Sequence, residues 1–150
     1  MTDHRDSPPG AGANGEAFDP LQVRAVADAT VQRAADQLRR QLDDLARRID
    51  PFPPFPGAMF AYGIEIDPPQ GPAASPDLGC VILGNDGQLY ELQIGLDHEQ
   101  VAFGGDHVAA RHEELIKLEL PPADFVPLAH RAIVAATEYL EAHPVAAREG

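Results

Sequence analysis

The chain has 150 residues, 44% of them hydrophobic and 23% charged, and its formal net charge is −13. That length and balance fit one globular domain with an extension. The acidity counts against nucleic acid, anionic lipid and metal-free polyphosphate as partners, because a negative surface repels each of them.

The charge is uneven. Residues 1–50 carry seven Arg and nine Asp or Glu, whereas residues 51–150 carry a net −11. Cys80 is the single cysteine, which excludes an intramolecular disulfide and a cysteine-based zinc site. Its setting, "LGCVILG", reads as core. The N-terminus lacks a basic start and an apolar h-region, and no stretch is apolar enough to span a membrane, so a cytoplasmic location is expected. Abundant Arg, Ala, Pro and Asp with one Lys point to a GC-rich bacterial genome.

In chain order, residues 1–17 are Gly, Pro, Ser and charge, and read as a disordered tail. "FDPLQV" then opens a helix. Asp19 supplies a capping oxygen, Pro20 fixes φ at the first helical position, and Phe18 and Val23 stand where a hydrophobic staple would be. No Gly or Pro follows until Pro51, so a helix over about 20–49, roughly 45 Å long, is predicted. Leu38, Leu42, Leu45 and Ile49 have the a/d spacing of a coiled-coil seam. They are the candidate oligomer interface, with packing on the chain's own sheet as the alternative. A sheet of short strands spans about 20 Å, so about half of this helix should overhang it. Replacing Leu42 and Leu45 by Asp is expected to break an oligomer without unfolding the domain.

"PFPPFPG", residues 51–57, holds too many prolines for a helix or a central strand and reads as a stiff, extended connector. Phe52, Phe55 and Phe60 are candidate partner-binding residues, although the phenylalanines of the connector would also serve as a lid on the sheet. Alternation of Phe60, Tyr62, Ile64 and Ile66 predicts the first strand. Residues 67–77 are a Pro/Gly/Ser loop, and 78–84 a strand apolar on both faces. "NDG" marks a hairpin turn within 84–88, followed by a strand over 88–96 with Tyr90, Leu92, Ile94 and Leu96 inward. Another strand is predicted over 113–120. A last helix, capped by Asp124 and reaching about residue 142, carries the stripe Phe125, Ala129, Ile133, Ala136 and Leu140.

These elements predict an α+β fold: a long N-terminal helix, a four-stranded antiparallel meander and a C-terminal helix packed on one face. The expected segments are a tail (1–17), the long helix (18–50), the connector (51–57), a small α+β domain (58–143) and a C-terminal tail (144–150).

The chemistry-bearing residues are sparse. Residues 96–115 include His98, His107, His112 and several carboxylates, which are ligand types for zinc, iron or manganese. His107 and His112 are not at the i,i+4 spacing of a helical ligand pair, and a solvated acidic loop is the plainer reading. No phosphate-binding glycine motif is present, and neither Ser7 nor Ser75 has an identifiable base. No cofactor and no enzymatic activity are expected. The sequence reads as a non-catalytic assembly or accessory (scaffold) protein. It would form a homo-oligomer through its first helix and hold a larger partner protein, one form being a subunit of a larger bacterial enzyme complex. The alternatives are a small metal-binding module or metal-dependent enzyme using loop 97–114, and a sensor domain for an apolar ligand.

Overall fold

A computed structural model of the chain describes residues 17–67, 80–96, 102–104 and 111–144. The element order is α1 (Pro20–Arg48), β1 (Ile64–Ile66), β2 (Cys80–Leu83), β3 (Leu89–Leu96), β4 (Arg111–Lys117) and α2 (Pro122–Ala142). The four strands form one sheet in the order β1-β2-β3-β4, with every neighbouring pair antiparallel. This is the expected α+β meander flanked by two helices.

α1 starts where its cap places it. The Asp19 carboxylate accepts from the N–H of Leu21 at 3.0 Å, with Pro20 in the first turn. The helix ends before Pro51, with Ile49 already extended at φ −92°, ψ 101°. On its outer flanks, Arg47 pairs with Asp43 and Arg48 with Asp44. Such exposed i,i+4 pairs stabilise the helix by only about 0.3–0.5 kcal/mol each.

The inner face of α1 enters the main core. Ala35, Leu42 and Ile49 are buried with Ile64, Ile66, Val81, Leu83 and Leu89 of the sheet and Phe125, Leu128, Ala129, Ala132 and Ala136 of α2. Leu38 and Leu45 pack against the same cluster. The four residues expected to form an interchain seam are therefore taken up by the chain's own core. Leu42 is 0% exposed, so an Asp there would unfold the domain rather than release an oligomer. Residues 35–49 and Phe52 share this core with the segment 58–143, so helix, connector and sheet form one packed unit.

α2 begins three residues earlier than expected. Pro121 is its N-cap and makes no side-chain capping bond, and Asp124 lies in the first turn, where a carboxylate favours the helix dipole. Pro127 is consequently inside the helix. It leaves the carbonyl of Ala123 without its i+4 donor, and Ala123 is exposed to water.

The β2–β3 turn follows the expectation at 84–88. Gly87 donates to the carbonyl of Gly84 at 3.0 Å and has φ 76°, a left-handed conformation that glycine adopts without strain. The turn also docks on α1: a Cβ on Gly87 would lie 2.8 Å from Cα of Asp43.

The strand bounds differ at two places. Pairing of β1 is confined to Ile64–Ile66, while Phe60 and Tyr62 lie outside it and are exposed. β4 starts at Arg111 rather than Glu113 and ends at Lys117. Leu118 still bonds to Leu89, but Leu118 and Leu120 then turn into the main core.

The row Tyr90, Leu92, Ile94 does not face the helices. It belongs to the opposite face, where Leu92 and Ile82 are buried in a second cluster with Phe55 and Ala61. Tyr90 is half-buried there and Ile94 is exposed. Leu89, on the other parity, supplies the residue under the helices.

Candidate interaction surface

The proline-rich segment is built by the few backbone donors it retains. Between residues 51 and 56 only Phe52 and Phe55 carry an N–H. Phe55 donates to the carbonyl of Ala61 at 2.9 Å, Gly63 donates to Pro53 at 2.9 Å, and Pro54 bridges Tyr62. The segment is thus a folded-back, hairpin-like loop and not an extended polyproline connector. Gly57, with φ 83°, sits at its tip, next to the bond from Ala58 to Phe55 at 3.1 Å.

The three candidate phenylalanines go to three places. Phe52 packs against the main core on the helical side, and Phe55 is buried in the cluster on the other side. The loop therefore wraps the free edge of β1 and pins one ring on each face of the sheet. Phe60 alone remains available, at 80% exposure. Its loop is fixed by Glu113 of β4, whose carboxylate accepts from the backbone N–H groups of Met59 (2.6 Å) and Phe60 (2.9 Å). Glu113 stands opposite Ile94, and Leu115, two residues on, opposite Leu92. Met59, Phe60, Ile94 and Leu115 thus make an exposed apolar strip beside the second cluster.

Two titratable groups in that region are perturbed. The Tyr90 phenol is pushed up to about 12, first by its hydrogen bond to the Asp86 carboxylate, then by burial and by the charge of Asp86. The Cys80 thiol is raised by burial and by the neighbouring Glu65 carboxylate, 3.7 Å away, which favours its protonated form. Cys80 is not the core residue that its setting predicts, but is half-buried against the second cluster.

The larger exposed apolar feature is the first half of α1. Every residue from Ala17 to Thr30 is exposed, and the first buried residue of the helix is Ala35. About 20 Å of helix therefore stands clear of the described core, which is the overhang that the helix length predicts. It presents Phe18 (79% exposed), Leu21 (76%), Val23 (55%) and Val26 (59%). Phe18, Gln22, Val23 and Val26 line one open depression along this arm. These residues were not among the sequence-derived candidates. The signal was there, because Val23, Val26, Ala27, Thr30 and Ala34 fall on one helical face. It is weaker than the leucine row further on, which drew the register to itself.

A cleft of about 360 Å³ lies between the proline loop, β1 and α2. Pro53, Ile64 and Tyr139 line it, and Glu65, Asp67 and Glu138 give it an acidic rim. Of the candidate metal ligands, His98 and His107 lie outside the described residues, and His112 is exposed on β4 opposite Gly95. Among the described residues no three His, Cys, Asp or Glu side chains gather into a group that would hold a metal. No helix among them is long and apolar enough to cross a membrane.

No protein-family model, curated protein or solved structure matches the chain.

Proposed function

We propose that the protein is a non-catalytic assembly or accessory protein. It self-associates through its N-terminal helix and holds a larger protein partner. The observation that carries this reading is the projecting arm: four large apolar side chains, each more than half exposed, on a stretch whose every residue from Ala17 to Thr30 is exposed. Exposed apolar surface concentrated on one element marks an interaction site rather than chance. The interface is placed on the arm and not on the leucine row, because that row is already buried within one chain. The strip of Met59, Phe60, Ile94 and Leu115 is the surface on which a different protein would sit, with Phe60 as its aromatic anchor. A subunit of a larger bacterial enzyme complex is one form of this role.

The test is the native mass of untagged protein isolated from its own organism, followed by the purified Val23→Asp/Val26→Asp variant. The wild type is expected as a multiple of 16.1 kDa or in a larger mixed complex. The variant is expected to lose that mass while keeping its melting temperature, since neither side chain touches the core. A wild type that runs as a single 16.1 kDa chain in extract and in pure form would refute the reading.

A further inference from the structure

We propose that the arm pairs antiparallel with the same segment of a second copy of this chain, about a two-fold axis beside Val26. The proposal rests on the self-association reading above and adds its geometry.

At 100° per residue, Val23, Val26, Ala27, Thr30 and Ala34 form one row, and Phe18 extends the apolar series beyond the N-cap. Val23, Val26 and Phe18 line the same depression, so the row and the ring lie on one side of the arm. The face carrying Ala35, Leu38, Leu42, Leu45 and Ile49 is rotated from that row by about 80° on average. The two apolar stripes of α1 are therefore distinct. One is spent on α2 and the sheet, and the other is exposed from Val23 to Thr30.

The partner is identified by charge. Four ionic side chains lie between residues 17 and 34: Asp19, Arg24, Asp28 and Arg33. They are antisymmetric about Val26, with Arg24 and Asp28 two residues to either side and Asp19 and Arg33 seven to either side. An antiparallel second copy centred there sets Arg24 level with Asp28 of the other chain, and Asp19 level with its Arg33. Measured from the centre of the apolar row, Asp19 and Arg33 lie about 35° and 75° to one side and flank it, whereas Arg24 and Asp28 lie about 105° and 145° to the other and sit further back, so the Asp19–Arg33 pair is the one that an isologous contact brings together. A parallel pair would oppose each charge with its own kind. Within one chain Arg24 and Asp28 sit 3.9 Å apart and are largely exposed, and they pair with each other along the helix. The apolar row has nearly the same centre, between Val26 and Ala27. Antiparallel pairing also suits the rest of the molecule. The arm has no net charge, whereas residues 51–150 carry −11. With the axis at Val26, the two Ala35 positions lie about 27 Å apart, and the acidic parts point in opposite directions.

The experiment uses full-length protein in a Cys80→Ser background. Native mass against concentration comes first, then oxidation of Val23→Cys and Thr30→Cys, each alone and mixed. In the antiparallel register about Val26 the position opposite Val23 is Ala29 of the second copy, and Thr30 next to it is the nearest residue of the facing row. The mixture should give a cross-linked dimer of twice 16.1 kDa, and each variant alone should give little. Arg33→Asp should weaken dimerisation about tenfold, because the two symmetry-related Asp19–Arg33 attractions become repulsions. Self-linking of each variant alone with no gain on mixing would overturn the antiparallel geometry. So would a dimer mass without any link. Both outcomes would leave self-association standing. A single-chain mass at every concentration would overturn both.

Discussion

Replacement of Leu42 by Ala is the sharpest test of which way the leucine row faces. Leu42 is fully buried, enclosed by α2 and by the β2–β3 turn, whose Gly87 lies against the backbone of Leu42 and Asp43. Removing three carbons from such a site costs about 2.4 kcal/mol in transfer free energy. A cavity term of about 1 kcal/mol adds to this, because a helix pinned on two sides cannot collapse into the space. The expected loss is about 3 kcal/mol. With a urea m-value of about 1.5 kcal/mol/M, the unfolding midpoint should fall by roughly 2 M. Val26→Ala, made in parallel on the exposed arm, should change stability by less than about 0.5 kcal/mol. A Leu42→Ala loss below about 1 kcal/mol, together with a lowered native mass, would refute the reasoning. Leu42 would then lie between chains and not within one.

Three further outcomes follow from the packing. Gly87→Ala should cost about 1–3 kcal/mol in a denaturant titration, since it combines a left-handed φ with a Cβ 2.8 Å from α1. Glu113→Ala should cost about 1–2 kcal/mol and speed proteolysis near Met59, because two backbone N–H groups lose their acceptor; Glu113→Gln should cost less. For Tyr90, the folded-state phenol is raised from 10 to about 12, so the protonated form is favoured by folding. Its stabilising contribution is fully present below pH 10 and is lost as the pH rises towards 12. Chemical denaturation at pH 9 and pH 12 should show a smaller alkaline loss for Tyr90→Phe than for wild type, and equal losses would contradict the Asp86 contact.

Local signals were legible wherever a few neighbouring residues decide the outcome. Asp19-Pro20 placed the start of α1, Pro51 its end, and "NDG" the hairpin, because caps, prolines and positive-φ turns are short-range chemistry. The direction of the leucine row was not legible. Residues 38, 42, 45 and 49 have the same spacing whether the opposing helix comes from the same chain or another. The inward row of β3 was misassigned for a related reason. Both faces of the sheet are covered, one by helices and the other by the Phe55 loop, so Leu89 and Leu92 are buried on opposite parities. The loop itself escaped because proline counts predict stiffness but not the two bonds, Phe55 to Ala61 and Gly63 to Pro53, that fold it back. Of the candidate site, Phe60 kept its exposure, whereas Phe52 and Phe55 became structural.

Ionic strength offers a last discriminating test, because the two orientations of the arm place the acidic charge differently. In the antiparallel pair, two regions of net −11 have centres about 45 Å apart. Unscreened in water, that repulsion is about 11 kcal/mol. At 10 mM salt, with a Debye length of 30 Å, it falls to about 2–3 kcal/mol; at 150 mM, with 8 Å, it is negligible. The two symmetry-related Asp19–Arg33 pairs between copies contribute at most about 1 kcal/mol each, and salt weakens them over the same range. Hydrophobic contact along the row of Val23, Val26 and Ala27 is barely affected. Dimerisation should therefore be no weaker at 150 mM than at 10 mM, and at most a few tens of times tighter. In a parallel pair the acidic regions would lie side by side, and association at low salt would be nearly abolished. Sedimentation equilibrium at the two salt concentrations distinguishes these cases. Dimerisation that weakens steeply with added salt would contradict both. It would mean that charge attraction, and not the apolar row, holds the copies together.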